Sequence, residues 1–170
     1  ILYETLLNER IEKRNSIIGR TFMEAKFLRH FTFTTNIGID INNFRSQYYQ
    51  NRIVGDGVTP GGRSTTNADE FRTISLNQLL NYKQKFGLHD VSVLVGHESQ
   101  KNIDETFSAS RTLQNLDGNI ELANFVTLAS ANGQLNLLRR SGYLSRFNYA
   151  YNNKYFVDLS YRRDASSRFS

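Results

Sequence analysis

The chain has 170 residues, of which 39% are hydrophobic, and its longest apolar run, around Val93-Leu94-Val95, is far short of a membrane-spanning helix. With no cysteine, a disulfide framework and any thiolate site are excluded. The formal charge of +5 invites a nucleic-acid reading, but Arg10, Lys13, Arg52, Lys101 and Arg139 form no block and no binding motif surrounds them, so no nucleic-acid partner is expected.

In chain order, Ile1–Ile18 is ambiguous. Leu2, Leu6, Leu7 and Ile11 have helical spacing with Glu4 and Glu9 between them, and the segment is expected to be a loop containing some helix. A first hairpin follows, with strands at about Gly19–Phe27 and Phe31–Asn42 and a turn at Leu28–His30. Its return strand alternates Phe31, Phe33, Thr35, Ile37, Ile39 and Ile41 with Thr32, Thr34, Asn36, Gly38, Asp40 and Asn42. Successive strand side chains point to opposite faces. Twelve residues at about 3.3 Å each cover nearly 40 Å, enough to cross a bilayer core at a tilt.

Asn43–Glu70 reads as a long polar loop. A second hairpin spans Phe71–Phe86 and Val91 to about Gln100, with a turn at Gly87–Asp90. Lys101–Arg140 reads as a second long loop, with a helical piece expected within Asn119–Leu138. The third hairpin, Gly142–Phe169, turns at Asn152–Lys154 and masses tyrosines beside that turn. Short turns at one end and long loops at the other are the layout of an outer-membrane β-barrel. The fold class is therefore all-β: an antiparallel transmembrane barrel fragment of about six strands. Six strands cannot close a barrel, so further strands are expected outside this chain.

The orientation follows from the alternation. Phe33, Ile37, Ile39, Leu76, Leu80, Val93, Val95, Phe147, Val157 and Leu159 should face lipid and remain exposed. Asn36, Asn77, Asn81, Glu98, Arg146, Asp158 and Arg162 should face the concave side. Arg146, Asp158, Arg162, Asp164 and Glu98 are the candidate lumen-facing residues, either pairing across strands or lining a substrate cavity. Tyr82, Tyr149, Tyr151 and Tyr155 are candidates for an interface girdle. Phe44, Tyr48, Tyr49, Arg52 and Phe125 are candidate loop contacts for a ligand or partner.

No enzyme is expected. Gly55–Gly62 lacks the ending and the strand–helix setting of a phosphate loop. His30, His89 and His97 have no second ligand at metal spacing. Ser166 and Ser167 have no histidine nearby, and Glu98, Asp104 and Glu105 form no glycosidase pair. Neither a cofactor nor a metal is anticipated.

The third hairpin resembles the SusC/RagA family of TonB-dependent outer-membrane transporters. The resemblance lies in Gly142, Tyr143, Arg146, Asn148, Tyr149 and Tyr151, and then in Arg162, Arg163, Asp164, Ser166, Ser167, Arg168 and Phe169. Ala165 and Ser170 stand where the family usually has glycine, so the loop after Asp164 is expected to take a different path. What the resemblance implies is a 22-stranded barrel with an N-terminal plug, this chain being an internal part of one barrel domain without the plug or the TonB-contacting segment. It further implies energised import of a glycan or peptide across the outer membrane, with a SusD-like surface lipoprotein as partner. A passive channel or adhesin-type barrel, and a soluble β-rich binding module, remain as alternatives.

Overall fold

The computed structural model describes residues 2–168; Phe169 and Ser170, the end of the quoted motif, lie outside the described residues. A short helix, α1 (Leu2–Leu7), leads into six strands: β1 (Glu9–Phe27), β2 (Phe31–Gln50), β3 (Arg63–Phe86), β4 (His89–Gln114), β5 (Phe125–Tyr151) and β6 (Tyr155–Ser166). They form one sheet in sequence order, β1-β2-β3-β4-β5-β6. Among the described residues no helix is long and apolar enough to cross a membrane.

The chain divides into two compact units. The first comprises residues 1–16, 41–71 and 103–136, and the second 17–40, 72–102 and 137–170. All three short turns belong to the second unit and both longer connections, 51–62 and 115–124, to the first. The turns are neighbours: Lys83 N donates to His30 O at 2.9 Å and Asn152 N to Leu88 O at 2.7 Å.

The strands run well beyond the expected ends. Most of Asn43–Glu70 and Lys101–Arg140 is strand rather than loop, and β1 occupies most of Ile1–Ile18 beyond its helix. Helix within Asn119–Leu138 is limited to one 3₁₀ turn, Leu122–Asn124. The reason is chemical. In the first unit the covered strand residues are largely polar, including Gln47, Gln50, Ser64, Thr66 and Gln114. Alternation of apolar with polar residues therefore gives no signal there, although the backbone ladder continues.

Two turns sit as expected, at residues 28–30 and 152–154. The third is only Gly87-Leu88, because His89 and Asp90 already pair in β4. Gly87 has φ +60°, the left-handed geometry that a two-residue hairpin with glycine at its first position requires. No loop follows Asp164 directly: Ala165 pairs with Ser141 and β6 continues to Ser166, so alanine there fits ordinary extended backbone.

Burial separates the units in kind. The buried hydrophobic residues are Ala109 and Phe125, both in the first unit. None of the ten residues expected to face outward is buried; Ile37, Ile39, Val95, Phe147, Val157 and Leu159 are exposed and the other four half-exposed. A soluble sandwich would cover such a face with a second sheet. No such layer exists among the described residues.

Candidate functional site

In the second unit, the β5–β6 register sets the charged face. Gly142 pairs with Asp164, Leu144 with Arg162, Arg146 with Ser160 and Asn148 with Asp158. Arg146 therefore meets Asp158 on the diagonal, where its Nε donates to both carboxylate oxygens at 3.2 and 3.1 Å and Nη2 makes a further close bond. Arg162 Nε donates to Asp164 at 3.0 and 2.9 Å, while its Nη2 reaches Glu98 Oε2 at 2.9 Å.

The reach from β6 to β4 depends on β5 presenting glycine. A Cβ on Gly142 would stand 2.5 Å from Asp164 Oδ1 and 3.5 Å from Arg162 Nη2. Glu98, Arg162 and Asp164 border a cavity of about 770 Å³, shared with Asn36, Asn77, Arg20 and Arg140. Asn77 Nδ2 lies 3.5 Å from Glu98 Oε1, and Asn77 Oδ1 is enclosed with no partner. The lining carries charges of both signs beside the apolar side chains of Phe22, Ile37 and Leu76. The cavity can hold water or polar ligand groups, and at its edge Ser141 Oγ lies 3.1 Å from His97 Nε2. Arg146 and Asp158 stand apart from it as a separate pair. All five residues expected on the polar face carry their charges as exposed or half-exposed groups. Arg20 and Arg140 were not among the expected site residues, and Gly142 entered only as part of the motif, because which strands meet, and in what register, cannot be read from a lone segment.

At the turns the second unit gathers aromatic rings. Phe27 stacks on Phe31 at 5.5 Å, and Tyr82 lies 4.9 Å from Phe31 and 6.2 Å from His30. His89 lies 5.9 Å from Tyr149 and 5.0 Å from Tyr151, with Nδ1 and the Tyr149 hydroxyl 2.6 Å apart. Tyr151 stacks on Tyr155 at 6.5 Å. All four expected tyrosines thus lie in ring clusters beside the short turns. Tyrosine alternation identified them; the histidine contacts needed the hairpin pairing.

In the first unit, the five candidate contact residues are not loop residues as expected, apart from Arg52. Phe44, Tyr48 and Tyr49 are on β2 and Phe125 begins β5. Phe125 is only 1% exposed and packs edge-on to Tyr49 at 6.3 Å, so its ring is enclosed. Arg14 lies over the Phe44 ring at 5.5 Å. Arg52 bonds Asp117 at 2.7 Å, while Tyr48 stays 39% exposed.

The connection 115–124 is held by side chains. Gln47 Nε2 and Ser64 Oγ both donate to Ile120 O, at 2.9 and 2.6 Å. Asn124 Nδ2 donates to Leu116 O and Asn119 O, each at 2.7 Å, and its Oδ1 accepts Leu116 N at 3.0 Å. Gln114 accepts from the Tyr49 hydroxyl at 2.8 Å and donates to Leu116 O at 3.1 Å. Leu113, at φ +67°, breaks the strand alternation just before Gln114. No group of three or more histidine, cysteine, aspartate or glutamate side chains suited to a metal occurs among the described residues.

No protein-family model matches the chain. The TonB-dependent receptor P3 of Formosa agariphila is 26% identical over 177 residues, covering 97% of this chain and 17% of that protein. The RagAB peptide transporter superposes with a TM-score of 0.88 at 22% identity, over 99% of this chain and 19% of the matched one. The fold is that of a TonB-dependent outer-membrane barrel. A siderophore receptor, PiuA from Acinetobacter baumannii, also superposes, with a TM-score of 0.53 at 13% identity over 91% of this chain and 26% of its own. The resemblance seen in the third hairpin is borne out, and these relatives are receptors and transporters rather than enzymes. The chain spans less than a fifth of the receptor and of the RagAB component it matches.

Proposed function

We propose that the chain is part of the wall of an energised nutrient importer, of the SusC/RagA type, in the bacterial outer membrane. Its barrel would be completed by strands, a plug and a TonB-contacting segment elsewhere in the polypeptide. The observation that carries this reading is the match of nearly the whole chain, rather than one motif, to a TonB-dependent receptor. The uncovered apolar face supports it, because lipid is the solvent that leaves such a face in place. The substrate is a glycan or a peptide; the likeness to a peptide transporter favours neither, being a likeness of fold.

In this reading Arg146, Asp158, Arg162, Asp164 and Glu98 face the lumen, where they hydrate and brace the wall. Tyr82, Tyr149, Tyr151 and Tyr155 form the girdle at the periplasmic interface, since amphipathic rings favour that depth. Tyr48 remains exposed and available to a substrate or to a SusD-like lipoprotein, while Arg52 is engaged by Asp117.

The test uses the full-length protein in its own host. Uptake of labelled peptides and of labelled oligosaccharides is measured in the wild type, in a strain lacking the gene, and in one lacking TonB. Import lost in both deletions supports the reading. Uptake that needs the gene but persists without TonB means a passive channel instead. Shortening the connection 53–61 and measuring co-purification of a surface lipoprotein tests the partner separately.

A further inference from the structure

Two of the three short turns share one construction. At the first, Phe27 and Phe31 stack at 5.5 Å with their planes 11° apart, and the turn between them is Leu28-Arg29-His30. At the other, Tyr151 and Tyr155 stack at 6.5 Å and 25°, and the turn between them is Asn152-Asn153-Lys154. Each turn has two residues with positive φ, Leu28 and Arg29 in one and Asn152 and Asn153 in the other. Each therefore presents a cation at a hairpin tip bracketed by an aromatic pair. Both Arg29 and Lys154 are exposed, and neither has an ion pair among the described residues. The nearby acids do not compensate them. Glu24 is engaged by Lys26 at 3.2 Å, Asp158 by Arg146, and Asp90 follows His89 on β4 and so faces away from the His89 ring cluster.

We propose that these two turns bind the phosphate of acidic phospholipid headgroups. The proposal rests on the second unit spanning the membrane with its turns at a phospholipid surface. Tyr151 and Tyr155 at one turn, and Tyr82 against Phe31 at the other, settle at the level where acyl chains meet headgroups. A cation one or two residues beyond them then stands at phosphate depth. Arg29 offers a planar fork suited to two phosphate oxygens, and Lys154 a point charge. The rings favour any phospholipid, whereas the unneutralised cations favour those with net negative charge. Exposed Leu28, at one tip, adds apolar anchorage.

The test is photo-crosslinking of the full-length protein in bilayers of phosphatidylcholine doped with either a phosphatidylglycerol or a phosphatidylcholine probe, read by mass spectrometry on peptides containing residues 27–31 and 151–155. Expected is about fivefold greater labelling by the acidic probe, the factor one basic side chain near an anionic surface supplies. Arg29→Gln with Lys154→Gln should bring the ratio to about one, and Arg29→Lys with Lys154→Arg should retain it. Heat-modifiable migration checks that each variant folds. Equal labelling by both probes in the wild type, or a ratio unmoved by the glutamine pair, overturns the proposal. Labelling by neither probe overturns it together with the placement of this end at a bilayer.

Discussion

Arg162 on β6 donates to Glu98 on β4 at 2.9 Å, and the strand between them carries Gly142 where a side chain would intervene. Strands β4 and β6 are thereby tied across β5 by a single guanidinium, which also holds Asp164 at 2.9 Å. Glycine at this place answers to space, since its value lies in the atoms that cross it.

Gly142→Leu should therefore displace the Arg162 bridge. The side chain would meet Asp164 and Arg162, and forcing it in costs about 1–3 kcal/mol, the usual range for overpacking. Urea unfolding of the full-length protein in vesicles would show the loss. Glu98→Gln, which removes the bridge without filling the space, should cost distinctly less. Equal effects would mean that Gly142 matters for some other reason.

Charge on the outer face should be far worse than charge on the polar one. Ile37 lies on β2 six residues from Phe31, and is exposed. Ile37→Lys is expected to cost about 2–4 kcal/mol at mid-bilayer depth. Asn36→Lys, on the opposite face, should cost under about 1 kcal/mol. The same vesicle unfolding assay checks both, and similar costs would argue against a lipid-facing odd series.

The contrast between these two neighbours explains what the sequence made legible. Where apolar and polar residues alternate, as through Asn36 and Ile37, the hairpins of the second unit could be read directly. In the first unit Gln47, Ser64 and Gln114 are covered yet polar, so β2, β3 and β4 extend with no apolar period to reveal them. Alternation placed Arg146 and Asp158 together on the polar face of the third hairpin, without naming them as partners. The Glu98–Arg162 contact was not, because it joins residues 64 apart through a register that no local pattern encodes. Phe125 looked like a loop aromatic since nothing local announces the connection that encloses it.

The connection 115–124 should depend on Asn124. Its side chain serves two carbonyls and one amide; Asn124→Ala takes the partner of Leu116 N away and leaves the Leu116 and Asn119 carbonyls only Gln114 Nε2, at 3.1 and 3.4 Å. Hydrogen exchange across residues 115–124 is expected to quicken at least tenfold, about 1.4 kcal/mol, with little change in the strands of the second unit. Unchanged exchange in the connection would show that Gln47, Ser64 and Gln114 suffice to hold it.

The most direct test of the barrel-wall account is a spin-label scan along β2. Single cysteines are placed at each position from 33 to 40 of the full-length protein in a cysteine-free background. In outer-membrane vesicles, collision with oxygen, which concentrates in lipid, is then compared with collision with a water-soluble nickel complex. The account predicts oxygen maxima at Phe33, Thr35, Ile37 and Ile39 and minima at Thr34, Asn36, Gly38 and Asp40. Oxygen accessibility that shows no two-residue period, or that peaks at Asn36 and Gly38, would contradict it.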